Sequence, residues 1–141
     1  MADSDRAERC VPEVLRDAGD DDSDVYVVGV RESADSESWS LLFMEPYDMD
    51  DEQEVAMGMD TYCLVVDPGQ ATFYGGVIDC AISDNRLHLA LSAPAAQELG
   101  TPTEMTFSLM LTPDQLRVLR RGLTRVLTSG RRDTFPRRLA V

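Results

Sequence analysis

From Val25 to Leu111 the chain is a succession of short apolar runs cut by turn residues, and this pattern limits the fold more than any other feature. The runs are "VYVVGV" (25–30), "SWSLLFME" (38–45), "TYCLVVD" (61–67), "ATFYGGVIDCAIS" (71–83), "RLHLALS" (86–92) and "EMTFSLML" (104–111). Two of them alternate strictly. Leu87, Leu89 and Leu91 oppose Arg86, His88 and Ala90, and Met105, Phe107, Leu109 and Leu111 oppose Glu104, Thr106, Ser108 and Met110. A period of two marks a strand with one face buried. "TYCLVV" is apolar on both faces and belongs in the middle of a sheet.

The punctuation joins neighbouring strands. "DPGQ" (67–70) carries Pro and Gly where a type II turn needs them, and "SDNR" (83–86) offers Asp-Asn, both tolerant of positive φ. Strands 61–67, 71–83 and 86–92 are therefore expected as antiparallel neighbours. The Gly pair at 75–76 interrupts the longest run, which predicts a bulge or a close backbone approach.

Two helices follow from capping chemistry. "SAPAAQELG" (92–100) has a Ser cap and a Gly stop. In "TPDQLRVLRRGLTRVLTSG" (112–130), Thr112 caps, Pro113 opens the first turn, Gln115 completes a capping box and Gly130 is the expected stop. Leu116, Leu119, Leu123, Val126 and Leu127 form one stripe, with Arg117, Arg120, Arg121 and Arg125 on the other side. Gly122 costs about 1 kcal/mol in a helix interior relative to Ala, and its use there points to close contact with the sheet. The class is α+β: a mostly antiparallel sheet of about five or six strands, with a C-terminal amphipathic helix and a short helix packed on one face.

At 141 residues one core is expected. The division read from composition is an acidic, disordered arm over 1–24, a single domain over 25–130 and a basic tail over 131–141. Within the arm, Val11, Val14, Leu15 and Ala18 are spaced for a short helix.

Charge is distributed as unevenly as apolarity. Of the formal −13, residues 1–60 hold −15, residues 61–113 hold −4 and residues 114–141 hold +6. A field of this sign repels nucleic acid and anionic membranes and speeds encounter with basic partners. The densest part is "MEPYDMDDEQEVAMGMD" (44–60), placed directly before the central strand. Neither a secretory h-region nor a membrane span is present in the sequence, so a cytoplasmic location is expected. Cys10, Cys63 and Cys80 form no C-x-x-C pair, and the latter two sit in apolar runs where a thiol serves as a small hydrophobe.

Little in the chain supports catalysis. The one histidine, His88, lies on the polar side of its strand without ligand-spaced Cys, Asp or Glu. There is no G-x-S-x-G, P-loop or G-x-G-x-x-G. "DMDDEQE" (48–54) fails the EF-hand spacing, with Gln53 where Gly is needed and Met59 where Glu is needed. Asp60 and Asp79 stand out only because they abut or interrupt apolar strands; Asp60 reads as a strand-entry cap or a partner contact. An enzyme using Asp60, Asp79 or His88 would require a concave pocket around them. No cofactor and no metal are expected.

The segment "DEQEVAMGMDTYCLVVDPGQATFYGGV" (51–77) resembles the immunity protein 10 family, antidotes of bacterial polymorphic toxin systems. The likeness rests on Gly58, Asp60, Tyr62, Cys63, Tyr74, Gly75 and Gly76, and runs from about Val25 to Thr128. It implies a cytoplasmic binding protein, monomeric or homodimeric, that neutralises a cognate toxin without catalysis. The charge makes a basic toxin such as a nuclease the expected partner, with Asp48, Asp50, Asp51, Glu52, Glu54 and Asp60 forming or bordering the binding face. Tyr47, Tyr62 and Tyr74 are the candidate anchors. Two alternatives stand beside this. The acidic run reads equally as a solvated connection with Tyr62 and Tyr74 in the core, and the chain as an acidic adaptor with no toxin partner.

Overall fold

The alternating runs become strands, and what the local pattern leaves open is which sheet each one joins. The computed structural model describes residues 11–46 and 61–141. In chain order it contains β1 (Val14–Leu15), β2 (Asp17–Asp21), β3 (Val27–Arg31), β4 (Ser40–Met44), β5 (Cys63–Asp67), β6 (Ala71–Tyr74), β7 (Val77–Ser83), β8 (Arg86–Leu91), α1 (Ala93–Leu99), β9 (Glu104–Leu109), α2 (Pro113–Leu127), a 3-10 turn (Arg132–Thr134) and β10 (Arg138–Ala140). The α+β class holds, but the strands divide between two five-stranded sheets rather than one. One sheet is an antiparallel meander, β2-β3-β4-β5-β6. The other, mixed, has the order β1-β9-β8-β7-β10, with parallel pairs at both edges.

The chain passes between the sheets where its backbone can turn sharply. The expected strand 71–83 is split at Gly75 and Gly76, whose φ of +77° and +95° ends β6 in the meander and starts β7 in the mixed sheet. Close approach matters here as well: a Cβ on Gly76 would lie 2.6 Å from the Cβ of Ala95 in α1. The expected neighbours are otherwise found, β5 with β6 and β7 with β8, both antiparallel. Asp84 and Asn85 take φ of +52° and +57°, the double left-handed geometry of a two-residue hairpin between Ser83 and Arg86. At the 67–70 turn the Asp67–Pro68 peptide is cis, and Gly69 and Gln70 take φ of +113° and +54°.

Residues on both sides of the 25–130 span enter the sheets. Residues 14–21, read from composition as part of a disordered arm with a short helix, supply β1 at the edge of the mixed sheet and β2 at the edge of the meander. Pairing decides this against propensity, since "DAGDD" hydrogen-bonds along the whole of Val27–Arg31. The basic tail supplies β10, which lies parallel to β7.

Caps and stripe set α2. Thr112 Oγ1 accepts from the Gln115 amide at 3.1 Å while Gln115 Oε1 accepts from the Thr112 amide at 3.0 Å, a complete capping box. The helix stops at Leu127 with Thr128 as its cap, earlier than the Gly130 expected from sequence. Leu119, Leu123, Val126 and Leu127 are fully buried, and burying each such side chain stabilises by about 1.5–3 kcal/mol. The partner is the inner face of the meander, where Gly122 sits against Val28. Trp39 on that same side meets Phe107 of β9, with ring centroids 5.7 Å apart, so α2 and the mixed sheet share one core above the meander.

Candidate partner-binding surface

Because α2 and the mixed sheet cover one side of the meander, the other side faces out. Period-two alternation puts Ala18, Val28, Val30, Leu41, Phe43, Leu64 and Val66 inward. The residues between them face outward. Gly19 of β2 pairs directly with Gly29 of β3, so two adjacent strands carry no side chain at the same level. The result is a groove of about 780 Å³. Leu42 leans over the Gly29 position, where a Cβ would meet its Cδ2 at 2.5 Å. Val27 and Leu42 give the groove half-buried apolar walls, and Asp21, Glu37, Asp67 and Arg31 line its polar parts.

Carboxylates on the two sides of β2 are treated differently. Toward the helix, Asp20 accepts from Tyr26 Oη at 2.9 Å and lies 3.5 Å from Arg121. Arg125 grips Glu45 through two bonds of 2.8 and 3.1 Å, reaches Asp22 at 3.7 Å, and stacks 3.9 Å above the Tyr26 ring. Its hydrogen bond to Glu45 raises the guanidinium pKa further, and burial together with the Asp20 hydrogen bond pushes Tyr26 up to about 12. On the groove side Arg31 is held by Asp17 at 2.8 Å. Asp21, Glu37 and Asp67 form no ion pair among the described residues; Asp21 and Asp67 accept only backbone amides, from Ser23 and Gln70.

Of the residues singled out from sequence, Tyr47, Asp48, Asp50, Asp51, Glu52, Glu54 and Asp60 lie outside the described residues. The described chain stops at Pro46, just past β4, and resumes at Thr61, just before β5, so the segment is bracketed by two adjacent strands of the meander. Tyr74 is exposed on β6, the far edge of that sheet, and is a feasible contact residue. Tyr62 is not. It has no exposed surface, and a side chain wholly inside the fold offers a partner no area. Its hydroxyl donates to the Thr134 carbonyl at 2.9 Å and accepts from the Val77 amide at 3.0 Å, while the Gly75 amide donates to its carbonyl at 2.8 Å. Tyr62 thus ties the start of β5, the crossover between sheets and the C-terminal segment together. Burial pushes its pKa up to about 12, so it stays neutral as a two-way bridge.

Of the groups weighed for catalysis, Asp79 and His88 share one face of β7 and β8, opposite Ala90 and Ala81 respectively, but neither lines the groove, and Asp60 lies outside the described residues. His88 Nδ1 pairs with Thr106 Oγ1 at 3.2 Å on the strand face opposite Leu87 and Leu89, and Asp79 belongs to β7. No group of three or more His, Cys, Asp or Glu could hold a metal among the described residues. Cys63 and Cys80 are buried free thiols, pushed by burial up to about 11 and about 12. Among the described residues no helix is long and apolar enough to cross a membrane. Sequence reasoning missed the acidic residues of β2 and the groove beside them. The available signal was the pair of glycines, each flanked by strand-compatible residues, but their pairing is tertiary information.

In the comparison with known proteins, the family model described as immunity protein 10 aligns with residues 13–117. That span begins before the sequence resemblance does and takes in β1 and β2. No curated protein and no solved structure matches the chain.

Proposed function

The chain belongs to the immunity protein 10 family, and on that basis we propose that it neutralises a cognate bacterial toxin by stoichiometric binding, without catalysis or a cofactor. The family match over residues 13–117 carries the reading. The partner is a basic toxin domain of a polymorphic toxin system, such as a nuclease, met in the cytoplasm.

Charge supports the kind of partner. With a net −13 and three groove-side carboxylates outside any ion pair among the described residues, the outer face of the meander favours a cationic surface. Opposite fields raise association from about 10⁵–10⁶ to about 10⁸–10⁹ M⁻¹s⁻¹ at low salt, which suits an antidote that must act before damage is done. From the sequence, Tyr47, Asp48, Asp50, Asp51, Glu52, Glu54 and Asp60 belong to the same proposed set of partner-binding residues, with the exposed Tyr74.

The test is co-expression with the toxin domain encoded beside the gene, scoring growth and then a one-to-one complex by size-exclusion chromatography. Rescue with complex formation is expected. Growth arrest with no complex overturns the reading in favour of an adaptor of another kind.

A further inference from the structure

We infer that the groove between Gly19 and Gly29 is a receptor for one long basic side chain, arginine or lysine, presented by a loop of the partner protein. The inference rests on the toxin-binding reading for the identity of the partner, but the chemistry of the groove stands by itself.

The floor is built by absence. At the paired glycines Leu42 covers the Gly29 position, while a Cβ added at Gly19 would meet nothing within 4 Å. That space is therefore open to an incoming group. The walls are aliphatic, from Val27 and Leu42, and suit a methylene stem. The polar lining is acidic: Asp21 from the end of β2, Glu37 from the 32–39 connection and Asp67 from the end of β5 all border the groove. Arg31, the one cation lining the groove among the described residues, is already bonded to Asp17 at 2.8 Å and is not available to neutralise them. An aliphatic stem on the floor with a cationic head among three carboxylates is the arrangement this geometry accepts, whereas an acidic or purely apolar side chain leaves the carboxylates desolvated without a partner.

The arginines of α2 do not supply the occupant. Arg121 and Arg125 are engaged with Asp20, Asp22 and Glu45 on the opposite side of the meander from the groove. On charge complementarity with these carboxylates the occupant is assigned to another molecule, and an arginine anchor is the type of contact that dominates protein interfaces.

The probe is N-acetyl-glycyl-arginyl-glycine amide, titrated at low salt into the full isotope-labelled chain and followed by amide chemical shifts, with the glutamate analogue as comparison. Shifts concentrated at Gly19, Gly29, Arg31 and Leu42, absent with the glutamate analogue and abolished in Gly19→Trp, are expected. Shifts spread over the acidic surface, or none, overturn the inference. Gly19→Trp fills open space and retains the fold; the triple change Asp21→Asn, Glu37→Gln, Asp67→Asn provides an independent surface variant. In the second arm each variant is titrated against the toxin domain. Wild-type binding with a loss of tenfold or more in both variants is expected, and unchanged affinity in both overturns the groove as the contact. If the wild-type chain does not bind the toxin, the toxin-binding reading fails, and the peptide arm still decides whether the groove is a basic side-chain receptor.

Discussion

Removing one oxygen atom from Tyr62 tests how this fold is held closed. In Tyr62→Phe the ring remains in its fully buried site, so packing is unchanged to first order. Two groups lose their partner: the Val77 amide, which donates to the hydroxyl at 3.0 Å, and the Thr134 carbonyl, which accepts from it at 2.9 Å. Val77 is buried, so its amide has no water to turn to, and an orphaned buried donor costs about 1–3 kcal/mol. Thr134 is only partly buried, so its carbonyl is rehydrated and the loss there is a net hydrogen bond, about 0.5–1.5 kcal/mol. The sum is about 1.5–4.5 kcal/mol, a large share of the stability of a domain this size. The assay is urea unfolding followed by fluorescence and circular dichroism, with amide hydrogen exchange as the local readout. Exchange should accelerate first at Val77 and along β10, because Thr134 anchors the segment leading to that strand. A loss below about 0.5 kcal/mol, or faster exchange spread evenly over both sheets, would refute the bridging role.

Gly122→Ala is expected to destabilise, by up to about 2 kcal/mol, although it removes a helix-interior glycine, because the overpacking penalty of about 1–3 kcal/mol outweighs the gain of about 1 kcal/mol. The new Cβ would lie 2.6 Å from the Val28 Cβ and 2.8 Å from the Tyr26 hydroxyl, so α2 must lift off the sheet; a rise in urea midpoint would show the contact to be softer than this. Thr112→Ala removes the acceptor of the Gln115 amide and should cost about 1 kcal/mol, read by the same unfolding curves, with Asp114→Ala as an exposed comparison. Tyr26, Tyr62, Cys63 and Cys80 hold their protons more tightly folded than unfolded, with pKa values of about 12, 12, 11 and 12 against ordinary values of 10 for tyrosine and 9 for cysteine. Their contribution is complete below about pH 9 and declines as pH rises toward 12, so the melting temperature should fall over that window; a flat profile from pH 9 to 12 would contradict it. The association rate with a basic toxin domain should fall at least tenfold between low salt and about 0.5 M salt in stopped-flow measurements, and a salt-independent rate would remove electrostatic steering.

What the sequence made legible was local. The Thr112–Gln115 box, the Ser92 and Gly100 caps and the Asp84-Asn85 turn each depend on residues within one or two turns of one another, and each is found as read. The alternation in β8 and β9 also sorted its residues onto the correct faces. What failed was pairing. "DAGDD" lacks strand propensity and becomes a strand only because Val27–Arg31 offers it a complete ladder, and "RLA" at the C-terminus is ordered by β7, nearly sixty residues upstream. Val11, Val14, Leu15 and Ala18 fit a helical stripe, yet Leu15 is buried in β1 and Ala18 in β2. Their apolar character reports burial correctly while their spacing misreports the period. Gly75-Gly76 was recognised as an interruption; that it moves the chain to a second sheet depends on where β7 finds its partners. The same limit applies to the binding surface. Tyr62 read equally as anchor or core, and its bond to Thr134 across 72 residues decides for core. The groove needs Gly19 opposite Gly29, a register no single run of sequence contains.

The two faces of the meander together explain how a chain with twice as many acids as bases can fold tightly and still project charge. Like charges brought onto one small sheet repel, and an even coating of arginines would relieve that repulsion but cancel the field. The arginines are not evenly placed. Arg121 and Arg125 come down from α2 onto Asp20, Asp22 and Glu45, the carboxylates nearest the helix packing on which stability depends. Asp17 takes Arg31 and also accepts from Gln115 Nε2 at 3.1 Å, closing the β2 edge onto the start of α2. Compensation therefore goes where the fold needs it, while Asp21, Glu37 and Asp67 are left facing the groove. These exposed pairs contribute little to stability individually, so their main effect is directional: they offset most of the charge on one side of the sheet and leave the field on the other. Reversing Arg125 to Glu should then disturb the helix side without weakening an arginine peptide in the groove, and a parallel loss of both would show that the two faces are not electrostatically separate.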